Sequence, residues 1–178
     1  MRKFASRIGL SLLGLTLVSS ANAATTVTGQ ITSSLILTSS CQVNGAGGTT
    51  GLNFGALNFG TANSLFTTAT GQVLGGGGGA LSILCSSGTT PTVTVGAGAN
   101  DGKSTGGARA LYDGVANYVP YDLYTDSGFS TLLPVNGTIN LAPSTGTAQT
   151  VNIYGQAKGK AGLPAGTYTD TIAVQLTF

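Results

Sequence analysis

The sequence predicts an all-β protein built as a β-sandwich. Only 7% of the 178 residues are charged, glycine is abundant at 29 residues, and β-branched residues outnumber strong helix formers. About eight short apolar or alternating segments are separated by glycine, proline and asparagine turns, which is the pattern of a sandwich. No segment keeps a helical period over ten residues, so an all-β fold accounts for the whole pattern.

Residues 1–23 are predicted to be a secretion signal. Arg2, Lys3 and Arg7 form a basic start, residues 8–18 are apolar, and residues 21–23 (Ala-Asn-Ala) form a small-residue cleavage site. The apolar run is too short to favour a membrane anchor. After cleavage 155 residues remain, enough for one domain with a core.

The charge of the remaining chain argues against nucleic acid and membrane surfaces as partners. Four basic residues, Lys103, Arg109, Lys158 and Lys160, face five aspartates, which leaves a formal charge of −1. The basic residues form no patch that could neutralise phosphates or anionic lipids. Beyond residue 23 no apolar segment approaches the length of a membrane span, so we expect none.

Residues 24–40 form an alternating segment directly after the predicted cleavage site. The positions that share one face are Val27, Gly29, Ile31, Ser33, Leu35 and Leu37. The residues between them are polar except Ile36, so the period of two predicts a strand with one apolar face. A strand so near a mature terminus can leave its own domain and complete a neighbour.

The remaining strands follow from short periodic segments. They are predicted at residues 80–85, 92–95, 110–112, 118–124, 130–133, 138–141, 147–154 and 166–178. Pro120 suggests an edge position or a bulge for its strand. In the last segment Tyr168, Ile172, Val174 and Leu176 share one parity, and Asp170 on the same parity predicts a bulge or a strand start. Residues 51–60 repeat Leu-Asn-Phe-Gly, read as two apolar clusters that pack onto a sheet.

The two cysteines, Cys41 and Cys85, are predicted to form a disulfide because an exported chain meets an oxidising compartment. Closing the loop between Cys41 and Cys85 contributes about 4 kcal/mol to the free energy of unfolding on the loop-entropy account. A metal site is poorly supported, since two cysteines without histidine do not fill a tetrahedral zinc shell.

No catalytic or cofactor-binding residue is predicted, and we expect no enzyme activity and no cofactor. The sequence has no histidine, which excludes Ser-His-Asp and Cys-His arrangements. Asp122 and Asp126 are interpreted as exposed strand-end and turn carboxylates. The Gly-Lys-Ser at residues 102–104 lacks the spacing and the helix of a P-loop. The tyrosines of residues 118–124 could form a stacking platform for sugars or bases, but sheet packing is the preferred interpretation.

Several segments together resemble the spore coat protein U domain family, and within it the major rod subunit of archaic chaperone–usher pili. They are Thr-Val-Thr-Gly-Gln-Ile at residues 26–31, Asn-Phe-Gly-Ala-Leu-Asn-Phe-Gly at 53–60, Tyr-Asp-Leu-Tyr-Thr-Asp at 121–126, Val-Asn-Ile-Tyr-Gly at 151–155 and the ending at 164–178. The Gly-x-Tyr-x-Asp-Thr block and the early Thr-Gly-Gln are the most specific parts. Residues 60–110 match loosely.

The resemblance implies an incomplete immunoglobulin-like β-sandwich that a donor strand completes. Residues 24–34 would be the donor-strand extension and residues 35–178 the pilin sandwich, with 35–40 as its own first strand. Val27, Gly29, Ile31, Leu35 and Leu37 would be the donor positions. Tyr168, Ile172, Val174, Leu176 and Phe178 would border the acceptor groove. Four aliphatic anchors would contribute about 6–12 kcal/mol before ordering costs.

The implied partners are other copies of the chain in a homopolymer, a periplasmic chaperone, an outer-membrane usher, and minor and tip pilins. The chain would pass through the periplasm to a surface pilus that serves attachment and biofilm formation. A different class of function stays open: a secreted surface or coat sandwich, or a minor adhesive subunit, that binds carbohydrate or another surface.

Overall fold

The computed structural model describes residues 24–178, and the predicted signal at 1–23 lies outside the described residues. The chain divides into two units, Met1–Ile36 and Leu37–Phe178. In the first unit, residues 24–36 form no strand and are exposed along their whole length. Among the residues that the structure describes, none forms a helix with the length and apolarity that crossing a bilayer requires.

The second unit is all-β across the residues described. Its strands are β1 (Cys41–Val43), β2 (Ala46–Gly47), β3 (Ala56–Leu57), β4 (Thr68–Leu74), β5 (Leu81–Cys85), β6 (Thr92–Gly98), β7 (Arg109–Tyr112), β8 (Tyr118–Tyr124), β9 (Leu132–Leu133), β10 (Gly137–Asn140), β11 (Gln149–Val151), β12 (Tyr154–Lys158) and β13 (Ile172–Thr177). The predicted all-β class is confirmed.

The strands form three antiparallel sheets around one core. The first has the order β11-β5-β1-β2, the second β10-β6-β13, and the third β3-β4-β12-β8-β7 with β9 beside β8. Buried side chains from all three sheets join in a single hydrophobic cluster, among them Val43, Ile83, Val95, Leu123 and Ile153. The architecture is an immunoglobulin-like sandwich with open edges rather than a closed barrel.

Cys41 and Cys85 are directly opposite each other in the β1–β5 ladder and form the predicted disulfide. Because β1 has only three residues, this bond fixes a strand that has few ladder hydrogen bonds of its own. The prediction that residues 35–40 form the first strand was wrong, because none of these residues lies in a strand and β1 is Cys41–Val43. Only Ser40 extends the ladder, through Ser86 N–H to Ser40 O at 2.9 Å, and regular pairing begins at Cys41.

Three other expectations differ from the structure for identifiable reasons. Residues 147–154 form two strands in different sheets, because the chain crosses the core between Val151 and Tyr154. Strand β4 was not predicted, since its sequence Thr-Ala-Thr-Gly-Gln-Val-Leu has few apolar residues. Pro120 lies in β8, which has neighbours on both sides, rather than in an edge strand. It pairs with Ala110 of β7, but the ladder with β12 ends at Tyr121, so Pro120 has no β12 partner.

The irregularity expected near Asp170 is a bulge in the partner strand β6. From Ile172 to Val174, β13 advances two residues while its β6 partners move three, from Gly98 to Val95. Strand β13 itself starts at Ile172, and its side-chain alternation is continuous. The bulge lets β6 turn toward the Asn100 loop without reversing the inward face of β13.

Candidate functional site: an open groove along the last strand

Strand β13 is an edge strand. It pairs with β6 on one side, and within residues 24–178 no strand pairs with its other side. Half of its backbone N–H and C=O groups therefore point to an unoccupied ladder position. Such an edge is a template for an additional strand.

An open groove with a volume of about 1190 Å³ runs beside this edge. Its wall includes Ile172 and Val174 of β13, and its floor includes buried side chains of β8 and β12 such as Leu123 and Ala157. A smaller hollow of about 300 Å³ continues it past Leu176 and Phe178 toward Cys41. The groove therefore follows the whole length of β13.

The opposite wall comes from the repeated Leu-Asn-Phe-Gly segment. Leu52, Phe54, Leu57 and Phe59 are only partly covered, pack against the core and line the groove. Phe59 meets Tyr121 edge-on, with ring centroids 5.7 Å apart. Sequence reasoning predicted that these residues pack on a sheet but did not assign them to the groove. The repeat of two apolar pairs was the signal that the sequence offered, and it does not reveal that no strand covers them.

The C-terminal residues predicted to border the groove face it as an alternating series. Tyr168, Ile172, Val174 and Leu176 are half-buried, as is Asp170 on the same parity, while residues 169, 171, 173 and 175 are exposed. Phe178 lies past the end of β13 and is exposed over half its surface. An apolar series that is half-buried in an edge strand has room for a further layer of side chains.

A polar pair interrupts the apolar lining of the groove. The Tyr121 hydroxyl donates a hydrogen bond of 2.7 Å to Asp170 Oδ2, and Asn100 Nδ2 donates one of 3.0 Å to Asp170 Oδ1. Burial, followed by the neighbouring carboxylate of Asp170, raises the pKa of Tyr121 well above its usual value. Tyr121 therefore stays protonated as a donor.

Arg109 stabilises the bulge behind this pair. Its side chain is 1% exposed, and it donates hydrogen bonds to Gly96 O at 2.9 Å and Val95 O at 3.4 Å. Its Nη1 lies 3.9 Å from Asp101 Oδ1, while Asp101 Oδ2 accepts the Gly98 N–H at 2.8 Å. The guanidinium thus serves the Gly96 carbonyl at the bulge and adds a longer bond to Val95 O, which also accepts the Asn136 N–H at 2.9 Å.

Asp122 is a correction to the sequence analysis. It is 8% exposed, accepts the Ala108 N–H at 2.7 Å and pairs with Lys158 Nζ at 3.2 Å. Its position inside β8, rather than at a strand end, explains the difference. Asp126 does lie in a turn, where it accepts the N–H groups of residues 128, 130 and 131, and the bonds from Thr131 and then Ser130 lower its pKa.

The predicted donor positions lie in a segment that makes no strand in this structure. Val27, Ile31, Leu35 and Leu37 are between 82% and 98% exposed, and space around Gly29 is open. With Ile36, which is 88% exposed, five aliphatic side chains within 11 residues are thus exposed. Exposed apolar clusters of this kind mark interaction segments.

Comparison with known protein families identifies the family of this chain. The Spore Coat Protein U domain model matches residues 26–175. The chain belongs to the Spore Coat Protein U domain family. The match includes the early alternating segment as well as the sandwich, so both are parts of one family domain.

One solved structure is similar to this chain. It is the CsuC–CsuE chaperone–tip adhesion subunit pre-assembly complex from the archaic chaperone–usher Csu pili of Acinetobacter baumannii, at 18% identity and a TM-score of 0.46. The alignment covers 80% of this chain, and this chain spans 40% of the length of the matched one. No curated protein matches the sequence.

Proposed function

We propose that this Spore Coat Protein U domain protein is a structural subunit of a chaperone–usher pilus that polymerises by donor-strand exchange. The observation that supports this most directly is the unpaired edge of β13 beside an apolar groove. The same chain has an exposed extension, residues 24–34, in which apolar and polar residues alternate. Residues 24–34 of one copy, with Leu35 and Leu37 continuing the apolar face, would fill the groove of the next copy.

Three features support this occupant over an unrelated ligand. The groove runs the length of a strand, so it suits an extended segment better than a compact molecule. It lies beside unpaired backbone groups, which only another backbone can satisfy in series. The extension supplies aliphatic side chains at a period of two, which is the spacing that such a groove receives.

The proposal assigns the chain a rod role, because one groove and one extension in the same subunit make an indefinitely repeating contact. Before assembly the same groove would take a strand from a periplasmic chaperone, and an outer-membrane usher would exchange it for the extension. Minor and tip pilins would join the same fibre. The protein would then reside in a surface pilus that serves attachment and biofilm formation, without enzyme activity.

The experiment compares matched substitutions on the two faces of the extension. Ile31→Asp places a charge on the apolar face, and we expect loss of surface fibres in electron micrographs with retained chaperone co-purification. Thr32→Asp places the same charge on the polar face and should leave fibres intact. Deletion of residues 24–34 should reproduce the Ile31→Asp result. Normal fibres from the deletion variant would show the proposal to be wrong.

A further inference from the structure

The inward face of the last strand and its lead-in is apolar at every position but one. Leu176, Val174, Ile172 and Tyr168 are half-buried, and Asp170 stands between Ile172 and Tyr168 on the same parity. The two hydrogen bonds that Asp170 accepts, from Tyr121 and Asn100, hold its carboxylate among the groove-lining residues. The groove therefore has one fixed polar point.

The extension has the complementary irregularity. Its apolar face reads Val27, Gly29, Ile31, Ser33 and Leu35, so one position carries a hydroxyl. An ionised carboxylate offers about four lone-pair sites, and Asp170 uses two of them. Asp170 can therefore accept a further hydrogen bond from a hydroxyl that enters the groove beside it.

We propose that the Ser33 hydroxyl of one copy donates a hydrogen bond to Asp170 of the next and thereby sets the register of the inserted strand. This inference rests on the donor-strand assignment proposed above. The strand would run antiparallel to β13, as every ladder in the described sheets does. The cross-strand neighbours are then Ser33 and Asp170, Ile31 and Ile172, Gly29 and Val174, and Val27 and Leu176.

Other registers lose this match. A shift of two residues in one direction puts Leu35 beside Asp170 and Ser33 beside Ile172. The same shift in the other direction puts Ile31 beside Asp170 and Ser33 beside Tyr168. A shift of one residue turns the threonine face of the extension into the groove. The loss of a hydrogen bond to a charged group corresponds to a preference of about tenfold or more for the proposed register.

Cysteine cross-linking on the outer face measures the register directly. Gln30 and Ala173 are exposed and are neighbours only in the proposed pairing. Direct cross-strand neighbours have Cβ atoms about 4.5–5.5 Å apart and diagonal ones about 7–8 Å, so oxidation discriminates between them. In the full-length chain, Gln30→Cys with Ala173→Cys should give a ladder of linked subunits on denaturing gels without reductant. Gln30→Cys with Thr171→Cys or Gln175→Cys should give at least several-fold less.

The role of the hydroxyl is tested in the same cross-linking background. Ser33→Ala should lower the ratio of proposed to shifted cross-links by about tenfold, whereas Ser33→Thr, which keeps the hydroxyl, should preserve it. Thr32→Ala removes a hydroxyl from the opposite face and should leave the ratio unchanged.

The outcomes separate this inference from the proposed function. Dominant cross-linking in a shifted pair, or an unchanged ratio in Ser33→Ala, overturns the role of Ser33 while leaving donor-strand exchange in place. Fibres that form without intermolecular cross-links in any of the three pairs overturn the donor-strand assignment and the register together.

Discussion

Replacing Arg109 by Met should be among the most destabilising single substitutions in the sandwich. Met conserves most of the volume but removes the donors that serve Gly96 O and Val95 O, and it leaves Asp101 without its cation. Breaking a buried charge pair costs about 3–5 kcal/mol. The 3.9 Å separation and the partial exposure of Asp101 place the expected loss at the lower end, about 3 kcal/mol.

The matched control is Lys158→Met, which breaks the other ion pair. Lys158 is 42% exposed, and Asp122 keeps its bond from the Ala108 N–H after the substitution. A loss of about 1 kcal/mol or less is expected there. Arg109→Lys should fall between the two, because one ammonium group cannot match the planar fork that reaches both carbonyls.

Urea denaturation of the purified chain, followed by circular dichroism, measures these differences. With a slope of about 2 kcal/mol per molar urea, Arg109→Met should shift the midpoint by about 1.5 M and Lys158→Met by about 0.5 M. Equal midpoints for the two variants would refute the reasoning that Arg109 holds the bulge. An unchanged slope is required for the comparison, because it shows that the same surface is exposed on unfolding.

Three further perturbations test the sandwich. Replacing Cys41 and Cys85 together by Ser should lower the free energy of unfolding by about 4 kcal/mol, with the reduced wild type as the control. Equal unfolding midpoints for the oxidised wild type and the variant would contradict this prediction. Because the pKa of Tyr121 is raised in the folded state, its contribution to stability is complete below about pH 10 and declines above it. The decline should weaken in Tyr121→Phe; identical pH profiles of stability for wild type and variant in alkaline urea titrations would disprove the assignment. Gly155→Ala would bring a Cβ within 2.5 Å of Leu57 Cδ2 and should lower the free energy of unfolding by about 1–3 kcal/mol, measured by thermal melts, whereas Gly79→Ala, in open space, should be nearly neutral. Similar losses of stability for both variants would argue against close packing of Gly155 against Leu57.

The sequence predicted what depends on local alternation. Strand β8 was predicted with its observed bounds because Tyr118–Tyr124 alternates and is flanked by turns. The disulfide followed from composition and compartment alone. The sequence also predicted that Ile172, Val174 and Leu176 lie on one face of the last strand, since a period of two does not depend on what the strand packs against.

Features that depend on distant pairing were not predictable from the residues. Arg109 looks like an ordinary surface charge in the sequence, and only the β6 bulge gives it buried carbonyl partners. The partners that Asp122 finds in its buried position, the Ala108 N–H and Lys158, lie 14 and 36 residues away in the sequence. The groove wall at Phe54 and Phe59 exists because no strand covers those side chains, and periodicity does not report a missing neighbour. The donor positions and the domain boundary at residue 34 stay predictions.

The outward face of β13 has a consequence for the solubility of the folded chain. Natural sheet edges are usually protected by lysine, proline or an inward-pointing charge. The outward residues here are Thr171, Ala173, Gln175 and Thr177, all uncharged and none proline. Within β13 itself the edge thus carries none of these protective residues, and the inward charge nearest to it is Asp170, two residues before its start. An added strand that pairs with this edge soon after folding would prevent pairing with any other extended chain. The time for which the edge stays unpaired, and the protein concentration during that time, therefore govern whether the protein aggregates.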